Sequence, residues 1–303
     1  MKSKVKHNST LLKNVQQIVQ ARVFVHSENV NEKVVVGNPA SVVFCKVNFP
    51  EEKTMQQIAI NEKSPMTAFV LQKHSNNFSI KYFTPSGNEF GICAHATLIA
   101  SNFIYEIYGY EKISFTKENL KLNLETVNNI STKNKNVSQI KLPAYMPVTI
   151  ENSRLNEYLI ALSLTKENVT AFYKCKELHD EIIVLNNIEA LKKLKPNFKK
   201  LKKILAANKV RGLLVTALSD NKNIDYEVRV FAPHFGIDED ISCGSANCSL
   251  LPLWHHLSKV KENKEYVILC PYNSLESNTI GGLEIGFYDA KNKTISIGGV
   301  VSK

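Results

Sequence analysis

The sequence predicts an α+β chain built as two similar lobes, each with a sheet wrapped around a helix. Three observations carry this. Segments with strand character outnumber helical ones. One apolar segment, suited to burial on most sides, falls late in each half, at residues 94–108 and 246–260. The short patterns ahead of those two segments resemble each other.

In order along the chain, residues 34–36, the turn Gly37-Asn38-Pro39 and residues 40–44 read as strand, sharp turn and strand. Residues 50–61 read as a helix with Met55, Ile58 and Ala59 on one face. Residues 67–72 and 78–83 are strands with a polar turn between them, 94–108 is the first buried helix, and 113–126 alternates as a strand. The polar stretch 128–136 is the best linker candidate, and 142–147, with Pro143 and Pro147, looks like a crossover. The second half gives a strand at 181–185, mostly helix over 188–207, and strands at 211–217 and 226–231. The second apolar helix (246–260) and strands at 267–271, 283–288 and 294–301 close the chain. The expected division is an N-terminal extension (1–20), an N-terminal lobe (21–140), a C-terminal lobe (141–282) and C-terminal strands (283–303) returning to the N-terminal lobe.

Composition narrows the function classes. At 303 residues, two domains or one large one is the prior. A hydrophobic fraction of 44% is globular and excludes a largely disordered chain. No run approaches the roughly 20 apolar residues that span a bilayer as a helix, so no membrane partner is expected. The net charge of +10 invites a nucleic-acid reading, but only four of the 38 basic residues are Arg (22, 154, 211 and 229). The densest basic run, Lys192 to Lys203, interleaves with Leu191, Leu194, Phe198, Leu201 and Leu205 at helical spacing, which reads as a solvated helix face. Six dispersed cysteines without a CxxC pair read as reduced thiols in the cytoplasm, and no Cys/His cluster has zinc-ligand spacing. Residues 1–27 contain no acid, as in an organelle presequence, but the scarcity of Arg and a strand at 22–26 favour a cytoplasmic protein.

The self-similarity carries the chemistry. Phe83-Thr84-Pro85, Glu89 and Cys93-Ala94-His95-Ala96 in the first half match Phe231-Ala232-Pro233, Glu239-Asp240 and Cys243-Gly244-Ser245-Ala246 in the second. The prolines are 148 residues apart and the cysteines 150. Small residues at a helix start leave backbone N–H groups bare, and the helix dipole adds about half a positive charge there. Two such starts would hold a carboxylate or enolate in a cleft between domains. A Cys or acid at each lip would act on opposite faces of a carbon, and a thiol there is expected to have a lowered pKa and serve as a base.

On these residues the chain resembles the PhzF-like phenazine-biosynthesis isomerase family, which shares the diaminopimelate epimerase fold. Gly37-Asn38-Pro39-Ala40 looks like the family's GNP motif. Phe83-Thr84-Pro85 and Cys93-Ala94-His95-Ala96-Thr97-Leu98 look like its FTP and CGHATL motifs. Phe231-Ala232-Pro233, Gly236, Glu239-Asp240 and Cys243-Gly244-Ser245-Ala246 look like the later signature. The resemblance covers roughly residues 21–300 and implies β-barrel-like lobes around central helices, a cleft site, no metal or cofactor, a small carboxylate-bearing substrate and a homodimer. It implies that His95 orients substrate, that Asp240 is its acidic partner, and that Gly244 and Ser245 form the substrate-binding helix start.

Three departures stand out. The family's proton-moving Glu aligns with Met66, whose thioether accepts no proton at neutral pH. Glu62, four residues earlier, is a weak substitute that reads first as an exposed helix-end carboxylate. Ala94 replaces a Gly, and its methyl would crowd a ligand or forbid positive φ, while Ile280 stands where Arg is common. Two readings result. In one, Cys93 and Cys243 are a two-base pair of an isomerase or epimerase with altered chemistry, its pocket lined by Met66, Ala94, His95, Gly244 and Ser245. In the other, the fold persists as a small-molecule binding or interaction module without catalysis.

Overall fold

The computed structural model describes residues 14–131, 136–151, 154–260, 264–272 and 278–303. It opens with β1 (Val15–Val30), β2 (Lys33–Val35), β3 (Asn38–Cys45), α1 (Glu52–Glu62), β4 (Thr67–His74), β5 (Asn77–Phe83) and β6 (Glu89–Phe90). Then come α2 (Ala94–Tyr108), β7 (Lys112–Lys117), β8 (Leu122–Ser131), β9 (Asn136–Pro143), β10 (Val148–Thr149), α3 (Arg154–Leu162), β11 (Val169–Cys175) and β12 (Asp180–Leu185). The chain continues through α4 (Ile188–Lys192), α5 (Phe198–Ala207), β13 (Gly212–Leu218), β14 (Tyr226–Ala232), β15 (Ile237–Asp240) and α6 (Asn247–Leu257). It ends with β16 (Glu265–Cys270), β17 (Thr279–Ile280), β18 (Gly282–Asp289) and β19 (Thr294–Ser302). Two units result: one holds the described residues up to Arg22, Pro39–Ile140 and Val301–Lys303, the other Val23–Asn38 and Lys141–Val300.

In the first unit β3 and β4 run parallel, β4 and β5 antiparallel, β5 and β7 parallel, and β7 and β8 antiparallel. Parallel neighbours need a crossover, and α1 and α2 supply the two. α1 buries one face, Met55, Ile58 and Ala59, against Val43, Phe69, Leu71 and Phe83. α2 is buried from Ala94 to Ser101 and again at Phe103 and Ile104, as an apolar central helix must be. It stops at Gly109, whose φ of 72° lets its amide reach the Tyr105 carbonyl.

The second unit repeats the scheme. β12 and β13 are parallel, β13 and β14 antiparallel, β14 and β16 parallel, β16 and β18 antiparallel. The first parallel pair is crossed by α4 and α5, the second by the buried α6. Both halves are thus mixed sheets around a central helix, the α+β architecture expected. Pro252 lies inside α6. Proline has no N–H for the carbonyl four residues back, and that carbonyl, Cys248 O, instead accepts from Tyr145 N at 2.8 Å. Among the described residues no helix is long and apolar enough to cross a membrane.

Several elements differ from the sequence reading. Residues 113–126 are two strands, because Lys121 adopts a left-handed conformation (φ 48°) after a short turn at Glu118–Leu120. Part of the proposed linker is β8 itself: Asn128 is buried and bonded to Ser101 and Ser138, so its polarity is spent inside the unit. Residues 132–135, the rest of that linker bar Asn136, and most of the N-terminal extension (1–13) lie outside the described residues. Residues 23–38 group with the second unit, because β2 pairs with β17, Val34 opposite Thr279 and Val35 opposite Ile280. Residues 283–300 also group there, since β18 pairs with β16 and β19. The helix over 188–207 is two helices, α4 and α5, capped by Asn187 and Asn197. α5 buries Leu201 and Leu205 and turns Lys199, Lys200, Lys202 and Lys203 to solvent. At the predicted sharp turn, Gly37 has φ 68°, and a Cβ there would lie 2.5 Å from the Val23 carbonyl oxygen.

The second unit also encloses an ion pair. Arg229 Nε and Nη2 each donate to a Glu239 oxygen at 2.7 Å, and Nη1 donates to the carbonyls of Leu191 and Leu194 at 3.3 Å. Both side chains are almost wholly buried. Arg229→Met would leave the Glu239 carboxylate uncompensated, at a cost of about 3–5 kcal/mol. Urea denaturation of the variant should show that loss, and a change below about 1 kcal/mol, the scale of an exposed pair, would contradict the assignment.

Candidate active site

In the first unit, Cys93 precedes α2 in an extended conformation (φ −132°, ψ 103°). Its Sγ lies 3.3 Å from His95 Nδ1 and 3.6 Å from Nε2. Thr97 ties the start of the helix together: its Oγ1 donates to the Cys93 carbonyl at 2.7 Å and pairs with Tyr82 OH at 2.6 Å. Cys93, Ala94 and His95 are buried. Ala94 is not among the described residues with positive φ, so its methyl imposes no backbone strain.

Met66 is buried, and its carbonyl accepts from Ser41 N at 3.0 Å. Glu62 corrects the expectation of an exposed carboxylate. α1 extends to it, it is 9% exposed, and its Oε2 accepts from Ser41 Oγ and Gln20 Nε2, each at 3.0 Å. Ser41 thus bonds to the Met66 carbonyl with its amide and to Glu62 with its hydroxyl.

In the second unit, Asp240 ends β15 and is half-buried. Its Oδ1 accepts from Asn38 Nδ2 at 2.8 Å and from Ser242 N at 3.2 Å. Asn38 Nδ2 also donates to the Ser242 carbonyl at 2.8 Å, so one side-chain amide clamps the carboxylate and its loop. Ser242 Oγ donates to Glu284 Oε1 at 2.6 Å, and Asn247 Nδ2 donates to Glu284 Oε2 at 2.5 Å. Tyr226 OH completes the series on Asn247 Oδ1 at 2.6 Å. The turn Gly244–Ala246 leads into α6 and places Ser245 Oγ 3.6 Å from Cys243 Sγ. Arg211 Nη1 donates to Ser245 Oγ at 3.1 Å.

The expectation of a lowered thiol pKa fails at Cys243. Desolvation pushes this thiol well above its ordinary value and the Asp240 carboxylate adds to the rise, while Arg211 and Ser245 pull the other way. At neutral pH Cys243 therefore keeps its proton and is not poised as a thiolate base. Glu284, fully buried, is pushed up to about 7, first by desolvation and also by Asp240, against its hydrogen bonds from Ser242, Cys270 and Asn247. Among the described residues no three His, Cys, Asp or Glu side chains converge to hold a metal ion.

The structure brings Cys93 and His95 together in one unit, and Asp240, Cys243, Gly244 and Ser245 onto one loop and helix start in the other. Sequence reasoning missed Ser242, Asn247, Glu284 and the role of Arg211. A signal existed for Glu284. It shares strand parity with Gly282 and Gly286, both at positions too tight for a Cβ, on a face where a solvated acid would not sit.

This α+β architecture recurs among solved structures. A hydroxyproline epimerase from Agrobacterium vitis shares the fold at a TM-score of 0.55 and 10% identity, over 95% of this chain and 91% of that one. A solved PhzF family protein from Enterococcus faecalis is nearer, with a TM-score of 0.72 and 27% identity over 94% of this chain and 95% of that one. An uncharacterized isomerase of Halalkalibacterium halodurans is 30% identical over 75% of this chain and 79% of its own length. A profile of phenazine biosynthesis-like proteins matches residues 30–299, and the chain belongs to that family.

Glu284 gives a pH signature. Its unfolded-state pKa is about 4.3, against about 7 in the fold. The folded state binds the extra proton between those values. Its contribution to stability is therefore full below the unfolded value and lost as pH rises through the folded one, by about 4 kcal/mol. Urea unfolding between pH 5 and 8 should show a smaller decline for Glu284→Gln than for the wild-type chain. Equal slopes would overturn the assignment.

Proposed function

We propose that this protein is an isomerase or epimerase that moves a proton on carbon in a small carboxylate-bearing metabolite. The observation that carries the reading is the Asp240 carboxylate. It is held by Asn38 Nδ2 and Ser242 N beside a helix start that presents Ser245 Oγ and a protonated Cys243 thiol. A general base needs a fixed, partly open acceptor, and a general acid needs a proton it keeps at neutral pH. Asp240 has the first property and Cys243 the second. The Cys93–His95 pair offers the same combination, an imidazole nitrogen 3.3 Å from a thiol sulfur. In this reading His95 and Asp240 accept or orient, Cys93 and Cys243 deliver, and Gly244 and Ser245 bind the carboxylate. Proton transfer is taken to be cofactor-independent and the protein to act as a homodimer, as the family resemblance implies.

A second reading is favoured by Met66, which stands where the family resemblance expects the proton-moving Glu. The chain would then bind its ligand without turning it over.

Incubation in D₂O with amino acids, hydroxy acids and dihydroaromatic carboxylates, read by mass spectrometry, separates the two. The isomerase reading expects solvent deuterium at carbon for at least one compound. It expects the rate to fall by about 10² or more in Asp240→Asn and in Cys243→Ala. Exchange that survives both substitutions rejects these roles, and no exchange across the panel favours the binding reading.

A further inference from the structure

Asp180 and Arg211 form a second ion pair in the same unit, with a feature that simple charge burial does not require. Arg211 Nε donates to Asp180 Oδ1 at 2.9 Å and Nη2 to Oδ2 at 2.5 Å, a two-point fork that fixes the guanidinium plane. Asp180 is fully buried, while Arg211 keeps about a quarter of its side chain exposed. The third nitrogen, Nη1, reaches Ser245 Oγ at 3.1 Å.

That contact constrains the hydroxyl. A guanidinium only donates, and a serine hydroxyl has one proton and two lone pairs. With Arg211 donating into a lone pair, Ser245 can satisfy its own proton only on another acceptor. Within the protein that acceptor is Cys243 Sγ at 3.6 Å, a weak one. A ligand carboxylate is a far stronger one.

We propose that Arg211 is a positioning residue that, by donating into one lone pair of Ser245 Oγ, turns the hydroxyl proton toward the ligand, and so favours carboxylate-bearing ligands at the start of the Gly244–Ala246 turn. Asp180 acts one step further back by holding the fork. The inference rests on the proposed reading in taking that turn as the ligand-binding start, but it does not need turnover.

The test is therefore a binding measurement, with benzoate as the probe. Thermal unfolding in rising benzoate concentrations gives the affinity from the protection against heat and needs no reactive thiolate. Benzoate should protect the wild-type chain. Ser245→Ala and Arg211→Met should each weaken that protection about tenfold or more. The double variant should be no weaker than either single one, since one residue acts through the other. Arg211→Lys keeps a cation opposite Asp180 but loses the fork, and should weaken protection while melting near the wild-type temperature. If Arg211→Met fails to fold, Asp180→Asn combined with Arg211→Met leaves no unpaired buried charge and is used instead.

Three results would overturn the proposal. These are no benzoate protection in the wild-type chain, unchanged protection in the folded Arg211 variants, or multiplying losses in the double variant. The deuterium experiment fails independently. A chain that binds benzoate through Arg211 and Ser245 but exchanges no deuterium rejects the isomerase reading and supports this one. A chain that exchanges deuterium with unchanged KM in Arg211→Lys does the reverse.

Discussion

The candidate residues of the second unit hang from the bond between Arg229 and Glu239. Adjacent residues of a strand point to opposite faces, so fixing Glu239 inward fixes Asp240 outward. Arg229 uses both ends of its fork on Glu239 and its remaining nitrogen on two backbone carbonyls. The Glu239-Asp240 dipeptide is thereby split into two roles. One acid neutralises a buried cation, and the other is presented to Asn38 and Ser242. Burying such a pair brings little net stability, but it fixes the register of the loop that carries Asp240.

Both units apply one topological rule twice. A parallel pair is closed by a helix on the outside, a hairpin follows, and a second parallel pair is closed by a helix buried within the sheet. A helix threaded through that position must be apolar on nearly every side, as α2 and α6 are. The halves differ in what stands beside the start: Cys93 with His95 in one, Cys243 with Ser245 and Arg211 in the other.

Electrostatics assigns the proton. Burial disfavours the charged form of any acid, and the hydrogen-bond partners of Cys243 (Ser245) and Glu284 (Ser242 and Asn247) are neutral. Both hold their protons more tightly than in water. A thiol at a helix start is usually read as an activated thiolate. Here desolvation and the neighbouring Asp240 outweigh Arg211, and the thiol stays protonated. The lowered pKa that the sequence suggested is therefore not found at this residue.

The sequence by itself determined the fold class, the repeat and the residues at both helix starts. Those follow from local pattern: apolar periodicity, the Pro turns, and small residues after Cys93 and Cys243. It placed the Gly37 turn correctly because positive φ is a property of one residue. Only the tertiary structure decided which groups meet across distance. Asn38 reaches Asp240, Glu284 lies behind Ser242, and Arg211 reaches Ser245, and no spacing rule announces such pairings. It also decided that polar Asn128 belongs inside a strand and that Glu62 is buried. Burial and strand pairing depend on residues far along the chain, and pKa follows burial, so the upward shift of the Cys243 thiol emerged only with the fold.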